Sequence, residues 1–166
     1  TGFNAETYNN FLSNLSKRLG DNYKIISLDQ RGHGLSSANA DPGKLSTWNS
    51  LVEDANEFVQ KFSSKELYFS GHSMGAIIAL KLSTEFSEIS KLFLIDPVLP
   101  GPKFSAYGRV KKFFRLNKTS HMVIAAKNRR FEFASKQEAF NHFKGRGAYK
   151  SWNDDILQDY LNGGMI

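Results

Sequence analysis

The 166 residues carry 40% hydrophobic side chains, among them 14 Phe, 6 Tyr and 2 Trp, enough apolar material for one domain with a real core and too much for a disordered chain. The absence of cysteine excludes disulfides and thiolate chemistry, and no cluster of residues suggests a metal or a cofactor. No apolar run approaches the roughly 20 residues of a membrane span and the start shows no signal-peptide pattern, so a soluble, cytoplasmic location is expected.

In chain order, residues 6–19 place Tyr8, Phe11, Leu12, Leu15 and Leu19 along one helical face, and Gly20 ends that helix. Lys24-Ile25-Ile26-Ser27-Leu28-Asp29 is short and almost continuously apolar, which suits a strand of a parallel sheet covered on both faces. Asp41-Pro42-Gly43 marks a turn, and Ser46 or Thr47 can cap the helix that follows. In it Trp48, Leu51, Val52, Ala55, Phe58, Val59 and Phe62 form one stripe for packing on the sheet. Leu67-Tyr68-Phe69 reads as a strand, and residues 76–86 as a helix packing through Ile77, Ile78, Leu80 and Leu82. Lys91-Leu92-Phe93-Leu94-Ile95-Asp96 is a further buried strand, which Pro97 and Pro100 forbid from continuing.

This alternation over residues 24–96 predicts an α/β fold with a doubly wound parallel sheet. Beyond it, residues 104–116 and 135–143 have helical spacing and Gly145-Arg146-Gly147 breaks it. A last short helix over 154–161 stops at Gly163-Gly164. The expected division is therefore a core at 1–100 and a mostly helical segment at 101–166. Charge divides the chain similarly. Residues 1–100 hold 9 basic against 11 acidic side chains, whereas 101–150 hold 13 against 2, a balance of +11. Such a block can steer anionic substrates, lie on an acidic membrane surface, bind nucleic acid, or be no more than a solvated face. No nucleic-acid motif accompanies it, so nucleic acid is not the expected partner.

The chemistry concentrates at Gly71-His72-Ser73-Met74-Gly75, between the strand and the helix. A serine on so sharp a turn is forced into a strained, positive-φ backbone, and glycines two residues to either side leave it room. Its hydroxyl then stands clear of the sheet. The helix behind it aims free N–H groups and a positive dipole end at any anion forming there.

This pentapeptide resembles the nucleophile elbow of the α/β-hydrolase superfamily, and Asp29-Gln30-Arg31-Gly32-His33-Gly34-Leu35-Ser36 is similar to the D-x-R-G-H-G-x-S loop that follows its fourth strand. The resemblance implies a serine hydrolase acting on a small-molecule ester or related acyl substrate, anionic if the basic block steers it, without a cofactor. Ser73 would be the nucleophile and Met74 would donate one oxyanion N–H. Thr1-Gly2-Phe3 looks like the end of the glycine loop before helix A, which implies a second donor at Gly2 or Phe3. By the same analogy Asp29, Arg31 and His33 brace their loop rather than react. The helical segment after strand six corresponds to a cap, and Arg129-Arg130-Phe131 with Ser135-Lys136-Gln137-Glu138-Ala139-Phe140 resembles cap segments of the esterase-like branch. C–C hydrolases, perhydrolases and acyltransferases share the serine motif. Haloalkane dehalogenases and epoxide hydrolases would carry Asp at position 73.

Ser73 needs a base to take its proton. His33 precedes it in the chain, His72 adjoins it on a turn where neighbouring side chains diverge, and His121 and His142 lie in the cap segment with no strand leading into them. The superfamily places its base after the last strand, and strands seven and eight do not appear here. The resemblance therefore implies a piece lacking the first strands and the final third, holding the nucleophile without a working triad. Asp96 follows the sixth strand, the place of the triad acid in a minority of members, and is either that acid or a loop-bracing aspartate. The competing expectation is a non-catalytic α/β-hydrolase-fold protein whose basic cap holds an anionic partner.

Overall fold

The computed structural model describes residues 2–41, 48–62, 66–99, 128, 130 and 132–165. Helix α1 spans Asn9–Leu19, α2 Asn49–Val59, α3 Met74–Leu82, α4 Lys136–Phe143 and α5 Asp154–Gly164. Strands β1, Leu67–His72, and β2, Ile89–Ile95, pair in parallel, with Phe69 opposite Leu92 and His72 opposite Ile95. Single 3₁₀ turns at Ala5–Tyr8 and Gly147–Tyr149 precede α1 and α5. The described residues thus form an α/β arrangement of a small parallel sheet with helices, and β1–α3–β2 is its centre.

Helix α3 is apolar almost all round and buries Met74, Ala76, Ile78, Ala79 and Leu82. Leu80, expected in the core, is exposed instead, because the helix packs on the strands along one side and on α2 along another, and Leu80 faces neither. The stripe of α2 buries only Leu51, Val52 and Ala55, and it packs against α3, with Phe69 of β1 completing the cluster. Helix α2 therefore reaches the sheet mainly through α3. Its expected caps, Ser46 and Thr47, lie outside the described residues, as do Pro42 and Gly43.

Residues 24–29 form no strand. Ile26 and Leu28 are 42% and 38% exposed, and neither described strand pairs with the segment. Ring contacts lie at its start: Tyr23 with Tyr68 of β1 at 5.8 Å and Lys24 over Phe62, beyond α2, at 5.7 Å. An apolar run becomes a strand only where a ladder satisfies its N–H and C=O groups.

A second cluster gathers Ala139, Phe143, Tyr149, Leu157 and Leu161, with Phe3, Phe133, Phe140, Trp152, Tyr160 and Met165 packed on it. Ser135 caps α4 by accepting from the Glu138 N–H at 3.1 Å. The Glu138 carboxylate accepts from the Ala134 N–H at 2.7 Å and from Arg130 at 2.6 Å, and these bonds, the backbone one first, hold its pKa below the ordinary value. Helix α5 does not stop at the glycine pair but runs through Gly164. A Cβ on Gly163 would lie 2.5 Å from Glu6 Cβ, and one on Gly164 2.8 Å from Asn4 Nδ2. These glycines let the end of α5 close on the first 3₁₀ turn, where Asn4 donates to the Tyr160 carbonyl at 2.8 Å. The expected helix at 104–116 and most of the basic block lie outside the described residues.

Candidate active site

Ser73 sits between β1 and α3 with φ 55° and ψ −117°, a left-handed backbone that a non-glycine residue adopts only under constraint. Its N–H donates to the Ile95 carbonyl of β2 at 2.9 Å, and its own carbonyl accepts from Ala76 at 3.2 Å. Although Ser73 stands at the N-cap position of α3, its hydroxyl does not cap the helix, because this backbone turns the side chain away. A Cβ on Gly71 would come within 2.2 Å of the Gly75 carbonyl oxygen and 2.5 Å of the Ala76 nitrogen, so Gly71 is required by close backbone approach. Gly75 differs from expectation: among the described residues nothing lies within 4 Å of a Cβ built there. The turn folds Gly71 inwards onto the helix start and leaves Gly75 on its open side.

Met74 opens α3 with its side chain buried in the first cluster, which fixes the helix start behind Ser73. Gly2 has φ 84°, and Phe3 is half-buried with its ring stacked on His72 at 6.1 Å and 16°. The segment at Gly2 and Phe3 is therefore brought to the elbow. His72 also lies 2.6 Å from the Tyr8 hydroxyl through Nδ1, and burial pushes the Tyr8 phenol above its ordinary range. Phe3, Thr7, Tyr8, Phe11, His72 and Trp152 line part of an open cleft of about 480 Å³ on this side of the turn; Ser73 is not among its lining residues.

Asp29 accepts from the Ala5 N–H at 2.7 Å and the Leu35 N–H at 3.0 Å, so one carboxylate ties the glycine loop to the first 3₁₀ turn. Gly34 passes so close that a Cβ would stand 2.3 Å from this carboxylate. Arg31 forms a two-pronged ion pair with Asp54 of α2, which raises its pKa further, and His33 Nδ1 approaches the Arg31 carbonyl at 3.2 Å. Asp29, Arg31 and His33 all serve their loop in this way. The spacing of the sequence gave no sign of Asp54 as partner, nor of Tyr8, which reads there as one more apolar helix position.

Asp96 directly follows β2, is exposed and also has positive φ, 44°. His142 packs its ring between Phe133 and Phe143, at 5.2 and 5.0 Å. His121 lies outside the described residues, as do Arg129 and Phe131. None of the described histidines bonds to Ser73. Among the described residues no group of His, Asp and Glu could hold a metal ion, and no helix is long and apolar enough to cross a membrane.

The model of the family described as serine aminopeptidase, S33, matches residues 3–143. N-formylmaleamate deformylase of Pseudomonas putida is 31% identical over 94 residues, 56% of this chain and 34% of the relative. Proline iminopeptidase PfmaB of Pestalotiopsis fici is 34% identical over 79 residues, 46% and 27% of the two chains. Protein phosphatase methylesterase 1 of Candida albicans is 32% identical over 103 residues, 58% and 27%. The aligned stretch spans about a third or less of the length of each of these curated relatives.

Proposed function

Because this chain belongs to the serine aminopeptidase S33 family of the α/β-hydrolase superfamily, we propose that it acts as a serine hydrolase on an ester or related acyl bond. The observation that carries the reading is the backbone of Ser73, held at φ 55° between a strand and a helix start, with a hydroxyl that does not cap the helix. In this reading Ser73 Oγ attacks the carbonyl carbon as its proton passes to a base, and the carbonyl oxygen becomes an oxyanion. The Met74 N–H at the start of α3 and a backbone N–H of Gly2 or Phe3 hold that charge. Collapse of the intermediate breaks the bond to the leaving group, which departs with the proton. Water then attacks the acyl-serine, releasing the acid and restoring the hydroxyl. The base comes from outside the described residues, and Asp96 after β2 is its proposed orienting acid. The relatives, by name a deformylase, an iminopeptidase and a methylesterase, support hydrolysis and differ in the bond, so the ester is the narrower part of the proposal.

The test uses the full-length protein. A fluorophosphonate should label Ser73, and Ser73→Ala should abolish labelling and lower ester turnover by on the order of 10⁴-fold or more. Asp96→Asn should lower turnover by a similar order if it orients the base. Full turnover in the Ser73→Ala protein overturns the reading.

A further inference from the structure

His72 is the last residue of β1, directly before the strained serine, and its ring is gripped from two sides. Its Nδ1 lies 2.6 Å from the Tyr8 hydroxyl, and Phe3 stacks on its face at 6.1 Å and 16°. Both partners belong to the N-terminal segment, which is itself anchored. Asn4, 4% exposed, bonds to the Tyr160 carbonyl and accepts from the Thr7 N–H and hydroxyl at 3.0 and 2.9 Å. Phe3 packs on Trp152 at 5.0 Å and on Tyr160 at 6.1 Å. A strained backbone persists only where its surroundings over-determine it, and among the described residues the backbone bonds of Ser73 outside its own turn run to β2 and α3. Neither of them ties the turn to the segment at Gly2 and Phe3. The side chain of His72 does. The Tyr8 hydroxyl and His72 Nδ1 share one hydrogen bond, whose direction the imidazole tautomer sets.

We propose that His72 is a positioning residue: gripped by Tyr8 and Phe3, it locks the nucleophile turn to the Gly2–Phe3 segment. Ser73 Oγ, the Met74 N–H and the N–H of that segment then keep one mutual geometry. This rests on Ser73 being the nucleophile, and it gives the hydrogen bond of Tyr8 a role in turnover and not only in folding.

The test is native-state amide exchange at Ser73, whose N–H bonds to the Ile95 carbonyl, read beside ester turnover in the full-length protein. In Tyr8→Phe, which removes one oxygen and keeps the ring, the Ser73 amide should exchange about tenfold faster, the factor for one hydrogen bond of ordinary net strength. Its kcat should fall by a similar factor with KM unchanged, as for a group that organises the transition state and not the ground state. His72→Leu should lose at least as much. His72→Asn, whose amide oxygen reaches the place of Nδ1, should return exchange and kcat to within about threefold of wild type. Unchanged exchange in Tyr8→Phe overturns the proposal, as does a rise in KM alone or an Asn variant no better than Leu. If Ser73→Ala keeps full turnover, the nucleophile reading fails, and amide exchange still decides whether the ring holds the turn.

Discussion

The two apolar clusters of this molecule are built by opposite means. The first takes aliphatic side chains from α2 and α3, Leu51, Val52, Ala55, Met74, Ile78 and Leu82, from neighbouring parts of the chain. The second is mostly aromatic and draws on Phe3 at one end of the sequence and Met165 at the other. Its rings meet tilted or edge-on, Phe143 with Tyr149 at 53° and Tyr149 with Trp152 at 87°, as the ring quadrupole favours. The difference teaches where the site's geometry comes from. The serine turn grows out of the first cluster through Met74, while the Gly2–Phe3 segment facing it is anchored in the second. Each cluster supplies one half of the proposed oxyanion site, and His72, one residue before Ser73, carries the ring contact to Phe3.

Three measurements sharpen or break this contrast. The largest effect belongs to the turn itself. A methyl at Gly71 meets the backbone of Gly75 and Ala76, which has no side chain to swing aside, so Gly71→Ala should cost more than about 4 kcal/mol in chemical denaturation. A loss below about 1 kcal/mol would mean that the turn relaxes freely and its strain is not imposed by packing.

Next comes the aromatic cluster. Leu157, 1% exposed, is one of the largest fully buried side chains, and Leu157→Ala should lower stability by about 2–5 kcal/mol. Equilibrium unfolding of this variant beside Leu51→Ala compares the clusters directly. Were Leu157→Ala nearly neutral, the ring cluster would be a surface association and could not anchor Phe3.

The smallest effect is at the edge of the second cluster. The pKa of Glu138 is held below 4.5, first by the Ala134 N–H and then by Arg130. A carboxylate lowered in the folded state stabilises above its unfolded pKa, and that contribution disappears as pH falls through the folded one. Glu138→Gln should therefore flatten part of the acid limb of a stability profile below about pH 4.5 and leave the neutral limb's shape unchanged. Identical acid limbs would show that the bonds of this exposed cap exchange freely with water.

Much of this was legible in residue order because its causes are local. The helical periods at α1, α2, α4 and α5, the strands β1 and β2, and the turn at Ser73 each depend on neighbours a few positions away. The serine's backbone follows from a strand that must turn at once into a helix, with Gly71 the only residue able to pass so close. Residues 24–29 show the limit. Their composition suits a strand, but a strand is a relation between two segments, and no run of side chains states whether its partner is in place.

What only the tertiary structure decided are the contacts between residues far apart in sequence. Tyr8 with His72, Arg31 with Asp54 and Asn4 with Tyr160 are separated by 64, 23 and 156 positions, and nothing in the period of either segment points to the other. Gly163 and Gly164 read as a helix end because glycine weakens helices, yet here they stay within α5 and admit Asn4 and Glu6. Propensity is a property of one segment, whereas close approach belongs to two. The sequence by itself therefore determined the strained serine turn between strand and helix, and tertiary packing decided what holds that turn against the rest of the molecule.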